Sequence, residues 1–149
     1  MMRTTESHEK GLRAKGLHDR GLRGLLRRRL IGAPIYAWRG LQACFKTEEA
    51  FRLQLLAAAI MVPLAFWLDI STVEKVLLIL PIVLVLIVEL LNTAVETVVD
   101  RIGRELHDLS AKAKDIASSA VLISLLTVVL VWALILTPHI LVWKDALAQ

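Results

Sequence analysis

Three apolar stretches dominate this 149-residue chain, and together they demand a lipid environment rather than a water-facing fold. Leu53–Leu68 is apolar apart from Gln54, Val76–Val99 carries Glu89, Asn92 and Glu96, and Ile116–Trp143 is interrupted by Ser, Thr and His139. A spanning helix needs about 20 apolar residues to cross a hydrocarbon layer roughly 30 Å thick. By that measure the first run is marginal, the second sufficient and the third generous. Lipid offers the backbone no water to bond, so such runs must be helices. Pro63 and Pro81 fall inside the first two runs, which spanning helices tolerate because neighbouring helices re-satisfy the freed carbonyls. The fold class is all-α and integral to a membrane, with three transmembrane helices.

The charges lie before and between these runs. Nine of the 18 Lys and Arg residues fall between Arg3 and Arg29. With 56% hydrophobic and only 5% aromatic residues, a net charge of +4 points to an anionic membrane leaflet and not to nucleic acid. Placing the N-terminus and the 101–114 connection on one side gathers 16 of the 18 basic residues there and leaves Lys75 and Lys144 opposite. By the positive-inside bias that side is the cytoplasm, so the N-terminus is inside and the C-terminus outside. The first thirty residues lack the apolar segment and small-residue cleavage site of a signal peptide. Cys44 is the single cysteine, so no internal disulfide staples the chain.

Gly11, Gly16, Gly21 and Gly24 punctuate the basic residues of 1–28, which predicts a disordered polybasic tail. Residues 29–143 form the membrane domain. Within it Ile35, Trp38, Leu41 and Phe45 recur at helical spacing, predicting an amphipathic surface helix over 34–46. The spans are expected at about 49–68, 72–101 and 114–140, with a short tail over 144–149. Ser71 and Glu74 have capping-box spacing and would start the second span.

The segment Val88–Gly103, VELLNTAVETVVDRIG, breaks the rule that spans avoid charge. At 100° per residue, Glu89, Asn92, Glu96 and Asp100 fall within an arc of roughly 80° on one helix face. Each ionisable group inside a span costs about 2.5–3.5 kcal/mol on insertion scales, so it normally faces protein or a polar cavity. If the hydrocarbon begins near Ile70, Glu89 sits at its far border, and Glu96 lies about 10 Å further toward the cytoplasm. A lipid headgroup and a water-soluble nucleotide can therefore meet along one face. Glu48 and Glu49 open the first span, where acids also suit a helix N-terminus. Lys114 and Asp115 open the third, and a lysine there is unfavourable for the helix dipole unless an anion such as phosphate attends it. Magnesium commonly takes one or two carboxylates plus substrate phosphates, which Glu48 and Glu96 could supply. The chain carries no Walker loop, GxGxxG or kinase catalytic-loop motif. His107 and Asp108 in the connection are candidates for nucleotide contact or simply solvated; His8, His18 and His139 stand apart, without metal-ligand spacing.

VELLNTAVETVVDRIGRELHDLSAKAKDIASSAV resembles the signature of the prokaryotic diacylglycerol kinases, small trimeric membrane enzymes unrelated to soluble kinases. The resemblance runs from about Arg29 to Trp132 and includes YAWRGL at Tyr36–Leu41, EEAFR at Glu48–Arg52 and FWLD at Phe66–Asp69. It implies an ATP-dependent kinase that phosphorylates the hydroxyl of diacylglycerol in the bacterial inner membrane. It also implies a homotrimer with active sites shared between neighbouring subunits. On this resemblance Glu89 is the catalytic base, Asn92 supports it, and Glu48 and Glu96 bind Mg2+ with ATP. Tyr36, Asp100, Glu105, Leu106, His107, Lys114 and Asp115 fall on the nucleotide side, and Arg29 and Ser118 on the lipid side with Glu89. Gln54 departs from the pattern, since many proteobacterial members carry an acid there, and the change bears on lipid preference and efficiency. The wider superfamily includes undecaprenol kinases, an alternative acceptor with the same mechanism. A remoter alternative is an oligomeric proton or ion conductor with the acidic stripe lining its pore, and a noncatalytic membrane anchor would have no use for those acids.

Overall fold

Backbone amides in lipid can bond only to one another, and the apolar runs are helical throughout. The computed structural model describes residues 32–103 and 107–147; the tail over 1–28, Arg29, Glu105 and Leu106 lie outside them. Among the described residues four helices follow in order: α1 (Ala33–Thr47), α2 (Glu49–Trp67), α3 (Thr72–Ile102) and α4 (Asp108–Leu147). The segments Glu49–Trp67, Thr72–Ile102 and Asp108–Val142 are long and apolar enough to cross a membrane, so the chain is a multi-pass membrane protein with three spans. The chain divides into two units, residues 1–43 and 44–149, and all three spans belong to the second.

Three helix ends are closed by side chains. Ser71 begins α3 with the capping box its spacing predicts: Ser71 Oγ accepts from the Glu74 N–H at 3.3 Å, and Glu74 Oε2 accepts from the Ser71 N–H at 2.8 Å. Lys75 Nζ donates to the Phe66 carbonyl at 3.1 Å, placing a cation on the C-terminal end of α2. Arg52 does the same for α1, donating to the Phe45 and Lys46 carbonyls at 3.2 and 3.3 Å. On α1 the side chains of Ile35, Trp38, Leu41 and Phe45 are exposed, while Cys44 is buried.

In the second unit α3 is the central helix, packing against both α2 and α4. Ala58, Ile82, Val85 and Val128 form the buried cluster where the three meet, flanked by Met61, Val62, Leu86 and Trp132. Pro81 lacks the N–H that would bond the Leu77 carbonyl, yet α3 continues through it. The Trp132 indole donates to the adjacent Leu78 carbonyl at 3.1 Å, so α4 supplies a bond beside the proline. At the other end of α4, His139 Nε2 lies 2.8 Å from Glu74 Oε1 and ties the end of α4 to the first turn of α3. His139, isolated in sequence, is thus part of a tertiary contact.

Helices in lipid gain little from hydrophobic exclusion and associate through close packing, which small residues permit. Ala65 on α2 is 0% exposed, enclosed by its neighbours. Ala65→Leu is therefore expected to cost about 1–3 kcal/mol through overpacking, read as a lowered unfolding midpoint in detergent. Ala59→Leu, on the exposed face of the same helix, should leave that midpoint unchanged; equal effects at both positions would show that α2 does not pack through Ala65.

Candidate active site

The acidic face of α3 changes character along its length. Glu89 is only 3% exposed, Asn92 and Glu96 are half-buried, and Asp100 near the helix end is exposed. Each carboxylate has a different attendant. Gln54 Nε2, from α2, donates to Glu89 Oε2 at 2.8 Å. Asn92 Nδ2 donates to Glu96 Oε1 at 3.0 Å, one helical turn along the same face. Asp100 Oδ1 pairs with Lys114 Nζ at 2.5 Å, joining the last turns of α3 to the early turns of α4. This pair is substantially exposed, so it contributes little to stability, but it places the ammonium group beside the acidic stripe.

The unused polar atoms are informative. Asn92 Oδ1 is buried and has no hydrogen-bond partner, as does Gln54 Oε1. A buried acceptor left unmade is costly unless something occupies it. Beside the Glu96 carboxylate, the Asn92 carbonyl adds a second hard oxygen, the ligand type magnesium prefers. Among the described residues no three His, Cys, Asp or Glu side chains converge as a metal cage.

Glu48 is the N-cap of α2 in extended conformation, but its side chain makes no capping bond. Its Oε1 instead accepts from Thr47 Oγ1 at 2.9 Å. Glu49 pairs with Arg52 at 3.5 Å on the exposed surface. The two acids are thus distinct: Glu49 faces water in a local ion pair, whereas Glu48 is half-buried. At the start of α4, His107 Nδ1 accepts from the Leu109 N–H at 3.2 Å and its carbonyl accepts from the Ala111 N–H, so His107 helps to start that helix. Asp115 and Ser118 are exposed on α4. Tyr36, in the first unit, is exposed with the Arg39 guanidinium 6.0 Å from its ring centre.

A family model described as prokaryotic diacylglycerol kinase matches residues 35–136, a stretch holding this whole arrangement. The chain belongs to the prokaryotic diacylglycerol kinase family. It is 48% identical over 111 residues to a diacylglycerol kinase of Escherichia coli (strain K12), covering 74% of this chain and 91% of that one. It is 49% identical over 107 residues to the diacylglycerol kinase of Haemophilus influenzae, covering 72% and 91%. Against the diacylglycerol kinase of Pseudomonas aeruginosa it is 43% identical over 109 residues, covering 73% and 89%. Membership in the diacylglycerol kinase family makes the chain an enzyme of that type, as the resemblance implies.

Three contacts in this member of the family are not visible from spacing. Gln54 meets Glu89 across 35 residues, and Lys114 meets Asp100 across a connection. Cys44 Sγ lies 3.5 Å from Thr93 Oγ1, on the turn between Asn92 and Glu96. The lone amide in the first span was the one available signal for the first of these, since a polar group in lipid must find a partner.

Burial pushes the Cys44 thiol pKa up, Thr93 partly offsets the shift, and the negative charges of Glu48 and Glu89 reinforce it. Thiolate is the reactive species, so a raised pKa leaves less of it at a given pH. Maleimide labelling of Cys44 at neutral pH is expected to run at least about tenfold slower in the folded protein than after denaturation. Equal rates would show that the thiol is not enclosed beside the acidic face.

Proposed function

We propose that this protein is a membrane lipid kinase that transfers the γ-phosphoryl group of ATP to the free hydroxyl of diacylglycerol, yielding phosphatidic acid and ADP. The observation that carries this reading is the graded acidic face of α3. A buried carboxylate, a half-buried carboxylate–amide pair and an exposed carboxylate beside a lysine follow one another toward the helix end. On this reading the lipid hydroxyl is delivered to the first, and a nucleotide in water meets the last.

Glu89 is the general base. It takes the hydroxyl proton as the lipid oxygen attacks the γ-phosphorus, and the bond from that phosphorus to the β–γ bridging oxygen breaks to release ADP. Phosphoryl transfer asks the protein mainly for alignment and neutralisation of charge. Magnesium, held by Glu48 and Glu96 with phosphate oxygens, supplies that neutralisation when bound. Asn92 orients Glu96 through its amide N–H. Lys114, held near the acidic face by Asp100, is placed to exchange that partner for a phosphate. Asp100, Tyr36, Glu105, Leu106, His107 and Asp115 complete the nucleotide side, and Arg29 and Ser118 the lipid side.

The same reading places the protein in the bacterial inner membrane with its N-terminus in the cytoplasm, where the basic residues meet anionic lipid and ATP. Residues 1–28 form a basic tail there, 29–143 the catalytic membrane domain and 144–149 the outer end. The exposed apolar side chains of α1 rest on the cytoplasmic leaflet. The protein works as a homotrimer whose subunits share active sites, covering some of the apolar side chains on α3, such as Leu80, Val83, Ile87 and Leu91, that a single chain leaves exposed.

Glu89→Gln keeps the shape and a hydrogen-bonding group but cannot accept the proton. It should fold and bind MgATP normally while turnover falls by about 10²- to 10⁴-fold. Turnover near that of the unaltered protein would refute the base assignment. The acceptor is tested by presenting purified protein and MgATP with diacylglycerol or undecaprenol in matched micelles. The reading expects the higher kcat/KM with diacylglycerol; the reverse order would move the protein to the undecaprenol kinases with its mechanism intact.

A further inference from the structure

We infer that Gln54 is the positioning residue for the proposed base, fixing which oxygen of Glu89 meets the lipid hydroxyl; this deepens the kinase reading and rests on it. Glu89 is 3% exposed, so water does not orient its carboxylate. Among the described residues Gln54 is the only side chain that donates to it, through Nε2 to Oε2 at 2.8 Å. That bond occupies one carboxylate oxygen and leaves Oε1 for the proton in transit.

The orientation of the amide is itself determined. Gln54 Oε1 is buried without a partner, so no competing donor pulls the side chain away from Glu89. Turning the amide over would set its carbonyl oxygen against a carboxylate oxygen, an acceptor facing an acceptor. Nor can a neighbour take its place. Gln54 is the only polar residue lining the small cavity among α2, α3 and α4, whose other walls include Ala57, Ala58, Met61, Ile82 and Val128. Small misplacements of a reacting group are expensive: about 1 Å can cost two orders of magnitude in rate. An amide bridging two helices at the base is therefore positioned to act on kcat and not on nucleotide binding.

The test uses the full-length protein in mixed micelles with diacylglycerol and MgATP. Gln54→Met preserves size and removes both polar atoms. It should lower kcat by at least about tenfold while KM for MgATP stays within about twofold. Placed in the Glu89→Gln background it should cause no further loss, because the group it orients is gone. Difference infrared spectra should show a shifted carboxylate stretch in Gln54→Met that vanishes in the Glu89→Gln background. If Gln54→Met does not fold, Gln54→Asn, which withdraws the amide by one methylene, carries the same expectations. With the unaltered protein active, a kcat within twofold, or joint loss of kcat, nucleotide affinity and stability without the infrared shift, would overturn the role of Gln54 alone. An unaltered protein that turns over no lipid would overturn the kinase reading, and this role with it.

Discussion

A carboxylate removed from water inside an apolar bundle is the constraint from which the rest of this structure follows. Burying Glu89 without a partner would be prohibitive, and the nearest polar side chains on its own helix are engaged elsewhere, Asn92 with Glu96 and Thr93 with Cys44. The partner comes from another helix. Gln54 on α2 supplies it, and the approach that brings Gln54 within 2.8 Å of Glu89 is the approach that buries Ala58 and Ala65 along the same helix. Packing and chemistry are therefore one problem in this fold: close contact between α2 and α3 makes the buried acid tolerable.

The same helix then solves the opposite problem at its C-terminal end. A kinase acting on a membrane substrate has to join a reactant confined to lipid with one confined to water. Along α3 the acids pass from buried, through amide-paired, to exposed and lysine-paired within three turns. Because 3.6 residues make a turn, a spacing of three or four keeps all four polar groups on one face. At the far end of the helix Glu74 is held by Ser71 and His139, so α3 is anchored to α4 near both ends, by Glu74–His139 and by Asp100–Lys114. Fixing α3 near both ends sets the register of the acids along its face.

Much of this was legible in the amino-acid order. Three spans follow from apolar length, the capping box at Ser71 and Glu74 from a local spacing, and the acidic stripe from helical periodicity. Those features are local, so one sequence suffices. The tertiary partners were not legible. Nothing in the residues flanking His139 announces Glu74, sixty-five positions earlier, and nothing beside Lys114 announces its pairing with Asp100. Gln54 lay between the two cases: an amide in a span announces that it has a partner without saying which. The surroundings of Glu48 and Glu49 also needed the fold: Glu49 pairs with Arg52 on the exposed surface, whereas Glu48 is half-buried.

The central claim is that one face of α3 carries its carboxylates from the lipid boundary into water. Spin labels placed singly along positions 85–101 of the protein in bilayers, read by collision with oxygen and with a water-soluble nickel chelate, test it directly. The account predicts a signal with a period near 3.6 residues, the face of 89, 92, 96 and 100 shielded from oxygen and nickel access rising steadily from 89 to 100. Labels at 89, 96 and 100 reporting unrelated faces, or uniform nickel access across the whole segment, would contradict it.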